Sequence, residues 1–86
     1  MELSDALKVA LADTFAFYLK AHNFHWNVTG PNFAEYHKFL GDLWEETFDA
    51  VDLIAEGIRI LDAFAPGSFT RYKELATIEE ELKIPS

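Results

Sequence analysis

The chain has 86 residues, of which 50% are hydrophobic and 26% charged, so its composition excludes a disordered polypeptide and allows at most one domain. It contains no cysteine, which excludes disulfide bonds and metal sites built from thiolates. Seven basic residues against fifteen acidic ones give a formal charge of −8. That charge disfavours nucleic acid as a partner and favours cations.

Neither a membrane span nor a targeting segment is predicted. No uninterrupted apolar run approaches the ~20 residues that a transmembrane helix needs, and the first residues lack the features of a signal or transit peptide. We therefore expect a soluble, cytoplasmic protein without a membrane partner. A domain of this size rarely builds a sufficient core alone, so we also expect stabilisation by oligomerisation or by a metal held by histidine and carboxylate.

The first predicted helix covers about residues 4–27. Helical spacing relates the side chains of one face, namely Leu3, Leu7, Ala10, Leu11, Thr14, Tyr18, Ala21 and His25. Ser4 or Asp5 is a suitable N-cap for its start. The helix is followed by residues 29–32, Thr-Gly-Pro-Asn, which predict a turn.

The second predicted helix covers about residues 32–64, and Asn32 with Glu35 forms a capping-box pattern at its start. Its apolar positions fill an arc of about 140° around the helix axis. One neighbouring helix covers only part of so wide an arc. Because two helices cannot bury their own apolar faces, we predict a two-fold dimer that completes a four-helix bundle.

A short third helix is predicted over about residues 69–76, with Ser68 as its cap. A second capping-box pattern, Thr77 to Glu80, predicts one further turn. The predicted fold is therefore all-α, a single domain over residues 1–86 made of a long antiparallel helical hairpin and a short C-terminal helix.

Four residues are candidate metal ligands: His25, His37, Asp52 and Glu56. Imidazole and carboxylate groups together suit Fe, Zn and Mn. Asp52 and Glu56 are four residues apart, so both project from one face of the second helix.

The spacing of these residues decides which of them can share a metal. An antiparallel turn near residues 28–31 places His25 beside His37. Asp52 lies 15 residues beyond His37, which is about 22 Å along a helix, so a single chain cannot bring the four together. In a two-fold dimer whose second helices cross antiparallel near residues 44–45, the histidines of one chain meet the carboxylates of the other. Two equivalent sites between chains follow.

The same residues also allow plainer interpretations. The histidines can be ordinary core residues, and the carboxylates a solvated edge with Arg59 as a surface partner. Two weaker candidates accompany the site: His22, one turn before His25, as an auxiliary ligand, and the acidic stripe continued by Glu45 and Asp49 as a region that attracts cations.

Three stretches of the sequence resemble the Dps family, the mini-ferritins named for protecting DNA in starved cells. They are residues 22–33 (HNFHWNVTGPNF) followed by His37, residues 52–56 (DLIAE), and residues 65–68 together with 72–78. The resemblance covers nearly the whole chain, and the combined spacing of the two histidines, the aspartate and the glutamate makes it specific. It implies a ferritin-like subunit that binds iron at a ferroxidase centre between two-fold-related subunits.

The resemblance implies a role for each candidate ligand. His25 and His37 match the ligands that one subunit donates, and Asp52 and Glu56 match those of the other. The implied function is oxidation of Fe(II) by hydrogen peroxide or dioxygen, for iron detoxification or storage, with Zn as a substitute metal. The implied partner is a second copy of the chain, as a homodimer at least.

The chain also departs from the family pattern. The family often has an acidic residue where this sequence has Gly41, and its third and fourth long helices have no counterpart in these 86 residues. No Lys-rich extension of the kind that binds DNA in some members is present. The alternative left open is therefore a non-catalytic helical oligomer, metal-stapled or purely structural, or an interaction module derived from a mini-ferritin.

Overall fold

The computed structural model describes residues 2–79, which form three α-helices and no strand. Helix α1 runs over Leu3–Asn27, α2 over Phe33–Ile60 and α3 over Phe69–Leu75. Helices α1 and α2 form a long hairpin, and α3 packs against α1. The predicted all-α class is confirmed. Residue 1 and residues 80–86 of the predicted domain lie outside the described part.

A tight turn between α1 and α2 sets the antiparallel pairing. Gly30 has a φ of +107°, a backbone conformation that side-chain-bearing residues rarely adopt. The amide of Phe33 donates to the Gly30 carbonyl at 3.2 Å and closes the turn. The last turn of α1 therefore lies beside the first turns of α2, as the sequence predicted.

The predicted N-cap of α1 was wrong, whereas the predicted N-cap of α2 is confirmed in position but lacks the expected hydrogen bond. The N-cap of α1 is Glu2, two residues before Ser4, because the Glu2 carbonyl already accepts the Ala6 amide at 3.0 Å and the helix begins at Leu3. Asn32 is the N-cap of α2, but its side chain makes no capping hydrogen bond. Its φ of −105° and ψ of 27° are not the extended values from which such a side chain reaches the first amides.

Helix α2 ends at Ile60 rather than at Phe64, so its predicted C-terminal end was wrong. The Asp62 amide donates to the Arg59 carbonyl at 3.0 Å, and the Ala63 amide to the Ile58 carbonyl at 3.3 Å. Asp62 has a φ of +61°. These are the two bonds and the left-handed residue of a Schellman motif, which satisfies the last carbonyls and turns the chain out of the helix.

Helix α3 begins as predicted. The Ser68 hydroxyl accepts the Arg71 amide at 3.2 Å, and the helix ends at Leu75, one residue earlier than expected. The further turn predicted to open at Thr77 does not form within the described residues, where 76–79 are not helical. Glu80, the last member of that pattern, lies outside them.

A carboxylate on α1 holds the segment after α3. Asp13 accepts hydrogen bonds from the amides of Thr77 and Ile78 and from the Thr77 hydroxyl, the last at 2.7 Å. Partial burial raises the pKa of Asp13, but the three donated hydrogen bonds outweigh that effect and hold the pKa below its ordinary value. Thr77 therefore binds across to α1 instead of capping a new helical turn.

The hairpin buries little of its own apolar surface. Among the described residues the buried apolar positions are few: Leu11, Ala12, Ala21 and Ile58. The accessible surface is 6193 Å², whereas a compact monomer of this mass is expected to expose about 5,200 Å². The radius of gyration is 14.6 Å, against about 12 Å for a compact domain of this length. Apolar side chains thus remain exposed along both long helices.

In the described part of the chain, no helix combines the length and the apolar character required to cross a membrane.

Candidate metal-binding site

Two histidines face each other across the hairpin turn and hold each other in place. The Nδ1 of His25 lies 2.7 Å from the carbonyl oxygen of His37, and the Nδ1 of His37 lies 2.9 Å from the carbonyl oxygen of His25. The two imidazole rings stack, with centroids 3.8 Å apart and planes 25° from parallel. The structure therefore brings together the first two residues of the predicted ligand set.

This reciprocal pairing decides which ring nitrogen is available to a metal. A carbonyl oxygen can only accept a hydrogen bond, so each Nδ1 must carry the proton. In the neutral imidazole the other nitrogen, Nε2, then has a free lone pair. A backbone carbonyl bound to one ring nitrogen is the usual second partner of a metal-binding histidine. Both histidines thus have the tautomer that a metal ligand needs.

The local sequence explains why the two rings meet. His25 lies in the last turn of α1, and His37 lies one turn inside α2, where its ring stacks on Phe33 at 4.9 Å. The turn centred on Gly30 connects the two helix ends. The mutual use of backbone carbonyls was not predicted, since the sequence places the histidines near each other but does not give the direction of their ring nitrogens.

The two carboxylates lie elsewhere on the same molecule. Asp52 and Glu56 are exposed and one turn apart on α2, and they lie about 22 Å and about 28 Å from His37 along the helix. Within residues 2–79, no group of three or more histidine and acidic side chains is close enough to hold one metal ion. A single chain therefore presents the four predicted ligands as two separated halves.

The plainer interpretation of the carboxylate pair is wrong in one respect. Arg59 does not pair with Glu56. Its guanidinium donates to the Ala63 carbonyl at 3.0 Å and lies 4.6 Å from the centre of the Phe64 ring. In the described part of the chain neither Asp52 nor Glu56 takes part in an ion pair shorter than 4.0 Å. Both remain available to a ligand from outside the chain.

An aromatic layer surrounds His22 beside the histidine pair. Its ring stacks on Trp44 at 4.1 Å with planes 6° apart and lies 3.9 Å from the Trp26 ring, while its Nδ1 is hydrogen-bonded to the Tyr18 hydroxyl at 3.2 Å. Burial, and then the nearby His25, lower the pKa of His22. His22 is thus packed between aromatic rings, and its role as an auxiliary ligand stays a prediction.

The acidic stripe predicted to attract cations is exposed in the structure. Glu45 and Asp49 both lie on the exposed side of α2. A solvated helix face without any function is equally exposed. The role of Glu45 and Asp49 in attracting cations therefore stays a prediction.

Comparison with known proteins agrees with the fold. A family model of the ferritin-like domain matches residues 4–84. The DNA protection during starvation protein of Helicobacter pylori is 34% identical over 83 residues, which are 96% of this chain and 58% of that protein.

Two solved structures give the same result. The DPS protein of Vibrio cholerae O1, described as a member of a broad superfamily of ferritin-like diiron-carboxylate proteins, is similar with a TM-score of 0.92 and 32% identity, over 94% of this chain and 51% of that one. Dps of Listeria innocua, soaked with zinc, has a TM-score of 0.90 and 26% identity, over 95% and 56%.

The matched region is only part of these proteins, because the chain spans about half the length of the relatives it resembles. Over that half, the helical hairpin, the short third helix and the sequence itself all match. The chain therefore belongs to the ferritin-like family and, within it, resembles the Dps proteins.

Proposed function

We propose that this chain carries two halves of a metal centre that oxidises Fe(II), and that a second copy related by two-fold symmetry completes them. The observation that carries the proposal is the reciprocal pairing of His25 and His37, which frees both Nε2 atoms at one end of the hairpin. The exposed pair Asp52 and Glu56 supplies the complementary donors farther along α2.

The donor set suits the proposed substrate. Neutral imidazole binds Fe(II) well, and carboxylate oxygens favour the harder Fe(III), so the combination assists loss of an electron from the bound iron. The same four donors also suit zinc. The membership in the ferritin-like family, and the similarity to a protein described as a diiron-carboxylate one, support a redox metal over a purely structural one.

The geometry calls for a partner chain. If two α2 helices cross antiparallel near Trp44, the histidine end of each chain reaches the carboxylate end of the other, and two identical sites form. The exposed apolar side chains support such an association. Phe48, for example, is 50% exposed and lies on the same side of α2 as His37 and Asp52, within about 60° around the helix axis.

The electron balance of the proposed reaction is simple. With peroxide as oxidant, two Fe(II) ions each give one electron to one hydrogen peroxide molecule, which takes up two protons and leaves as two water molecules. With dioxygen, four Fe(II) ions and four protons are needed to reach water. Consumption of Fe(II) together with peroxide removes both reactants of hydroxyl-radical formation, which fits a role in iron detoxification.

A second candidate is a helical oligomer in which a redox-inert metal such as Zn(II) joins the two chains without catalysis. The extent of exposed apolar surface favours this candidate as much as the first, because association alone would cover it. The two candidates make the same prediction for metal binding and opposite predictions for oxidation of iron.

The first test is the rate of Fe(II) oxidation. Anaerobic Fe(II) is added to the purified chain, then peroxide, and ferric absorbance is followed for the wild type and for Asp52→Ala. We expect at least a tenfold slower reaction in the variant, because one carboxylate donor of each site is removed. Glu46→Ala is the matched control, since Glu46 is exposed on the same helix but lies about 120° around the axis from Asp52.

A mixing experiment tests whether the site lies between chains. We expect His37→Ala and Asp52→Ala each to oxidise Fe(II) at least tenfold more slowly when alone, whereas a heterodimer of the two retains one intact pairing of histidines with carboxylates. Random exchange of equal amounts should then restore about a quarter of the wild-type sites. No recovery in a mixture that has exchanged subunits would overturn the proposed arrangement.

A wild-type rate no greater than that of buffer, in a protein that is helical and binds Zn(II), would replace the ferroxidase proposal by the structural oligomer.

A further inference from the structure

Phe64 is a large aromatic side chain that is held in place although its ring is 81% exposed. The guanidinium of Arg59 lies 4.6 Å from the centre of the Phe64 ring and donates a hydrogen bond to the carbonyl oxygen of Ala63 at 3.0 Å. A guanidinium over the face of an aromatic ring is attracted to it. The ring therefore has a defined position beside the last turn of α2, while most of its surface is open to a partner.

Arg59 leaves α2 on the face that carries the candidate ligands. It follows Phe48 by eleven residues and Asp52 by seven, which places it about 20° from each of them around the helix axis and between the two. His37 is about 40° from Arg59 on the same face. Because Arg59 holds the Phe64 ring, this ring lies at the end of the face that the proposed dimer would cover.

A second aromatic ring is exposed at the opposite end of the same helix. Phe33 is the first residue of α2 and is 45% exposed. Its ring stacks on that of His37, with centroids 4.9 Å apart and planes 24° from parallel. The histidine end of α2 and the carboxylate end of α2 therefore each present one open aromatic surface, Phe33 at the first and Phe64 at the second.

Two-fold symmetry brings these two surfaces to the same place. A metal site shared by His37 of one chain and Asp52 of the other requires these residues to lie at one level, so the two-fold axis passes midway between them on α2. Arg59 is then about 22 Å beyond the axis, and Phe33 about 17 Å before it. In the dimer, Arg59 of one chain and Phe33 of the other thus lie about 5 Å apart along the helix direction, which an aromatic side chain such as Phe64 spans.

We propose that Phe64, held by Arg59, packs against Phe33 of a second copy of this chain. Each subunit then gives the histidine end of its partner an aromatic cover in addition to two carboxylates. The inference rests on the proposed function for the register of the dimer, but the contact itself needs no metal. Phe69 provides a comparison, because it is also 81% exposed but lies on α3, which packs against α1.

The first test is cross-linking between chains, for which the absence of native cysteine is an advantage. Metal-free Phe33→Cys and Phe64→Cys are mixed, allowed to exchange subunits and treated with a short bis-maleimide. We expect a cross-linked dimer in the mixture and little in either variant alone, because the two copies of residue 33 lie about 30 Å apart or more in the dimer. A mixture of Phe33→Cys with Phe69→Cys is the matched control and should cross-link no more than the single variants.

The second test measures whether the two rings stabilise the dimer together. The dissociation constant of the metal-free dimer is determined by analytical ultracentrifugation for Phe33→Ala, Phe64→Ala and the double variant. Two aromatic rings in contact should make the effect of the double variant about two- to tenfold smaller than the product of the single effects. Phe69→Ala combined with Phe33→Ala should give the simple product. Circular dichroism shows whether each variant remains helical.

If a variant fails to fold, the wild type provides the answer. In a dimer of one ¹³C-labelled and one unlabelled chain, an isotope-filtered NOE between the rings of Phe33 and Phe64 reports their contact between chains.

The outcomes separate this inference from the proposed function. Cross-linking of residue 33 to residue 64 no stronger than to residue 69, or effects of Phe33→Ala and Phe64→Ala that simply multiply, would overturn the contact. That conclusion would hold even if the mixture of His37→Ala and Asp52→Ala recovered iron oxidation. Selective cross-linking with coupled effects, in a wild type that does not oxidise Fe(II), would establish the contact and make the ferroxidase proposal wrong.

Discussion

At the scale of single residues, two backbone carbonyls fix the rings of His25 and His37, and one carboxylate fixes the segment after α3. The carbonyls thereby set the tautomers of the two rings, and the carboxylate is that of Asp13. Both arrangements join groups far apart in sequence, so each depends on the hairpin being formed. Single substitutions at these residues should therefore change the structure near the substituted group, where NMR can detect the change.

Asp13→Ala should release residues 77–78 from α1 and lower the free energy of unfolding by about 1 kcal/mol, since the hydrogen bonds to this carboxylate are partly exposed to water. Hydrogen exchange of the Thr77 and Ile78 amides, followed by NMR, measures the release. Lys20→Ala is the control. It removes a different contact with the same segment, the hydrogen bond that the Lys20 ammonium donates to the Glu79 carbonyl at 3.4 Å. Exchange rates at Thr77 that are the same in Asp13→Ala and the wild type would contradict this prediction.

The Asp13 contact should also respond to pH in one direction. Its pKa is lower in the folded chain than the ordinary value of 3.8, so its contribution to stability is complete above that value and is lost as the pH falls through the folded pKa. We expect Thr77 to stay protected at pH 5 and to become exchangeable only at more acidic pH. Asp13→Asn, which cannot ionise, should lack this transition.

At the scale of the helices, the chain ends each element by a different device. Gly30 turns the chain between α1 and α2, a Schellman motif at Asp62 ends α2, and Ser68 caps α3. The first and the last are recognisable from residue type. The second is not, because aspartate rather than glycine occupies the left-handed position and the apolar pattern continues through Phe64.

Asp62→Gly should stabilise the end of α2. A residue with a Cβ loses about 1 kcal/mol in the left-handed conformation relative to glycine, and glycine is the usual residue at this position of the motif. We expect the free energy of unfolding to rise by about 0.5–1 kcal/mol in urea denaturation. Gly30→Ala is the opposite test, since it places a Cβ at a positive φ and should destabilise the chain. A decrease for Asp62→Gly would show that its carboxylate has another role.

At the scale of the whole molecule, the hairpin is incomplete by itself. Its accessible surface and radius of gyration exceed those of a compact monomer, and large apolar side chains remain exposed on more than one side of α2. Leu53 is 70% exposed, and Phe48, about 140° away around the helix axis, is 50% exposed. A chain of this kind is expected to be stable only when another helical surface covers it.

We therefore expect the melting temperature to rise with protein concentration, as for any fold stabilised by association. Phe48→Ala should weaken the dimer about tenfold or more, because a large aromatic side chain is removed from the proposed contact face. Phe39→Ala is the control: Phe39 is 63% exposed and lies on the opposite side of α2, about 180° from Phe48. Analytical ultracentrifugation measures both. Equal weakening by the two variants would place the contact on a different face.

The order of the helices and the composition of the candidate site could be derived from the amino acids alone. Helical periodicity, a Gly-Pro turn and four ligand-type residues are local properties, and a rise of about 1.5 Å per residue is enough to show that the histidines and carboxylates cannot meet within one chain. Nothing local, however, determines where α2 stops or which nitrogen of each histidine is free. Those depend on bonds between groups that folding brings together: the amides of Asp62 and Ala63 with the preceding turn, and the ring of His25 with a carbonyl of the opposite helix beside Gly41.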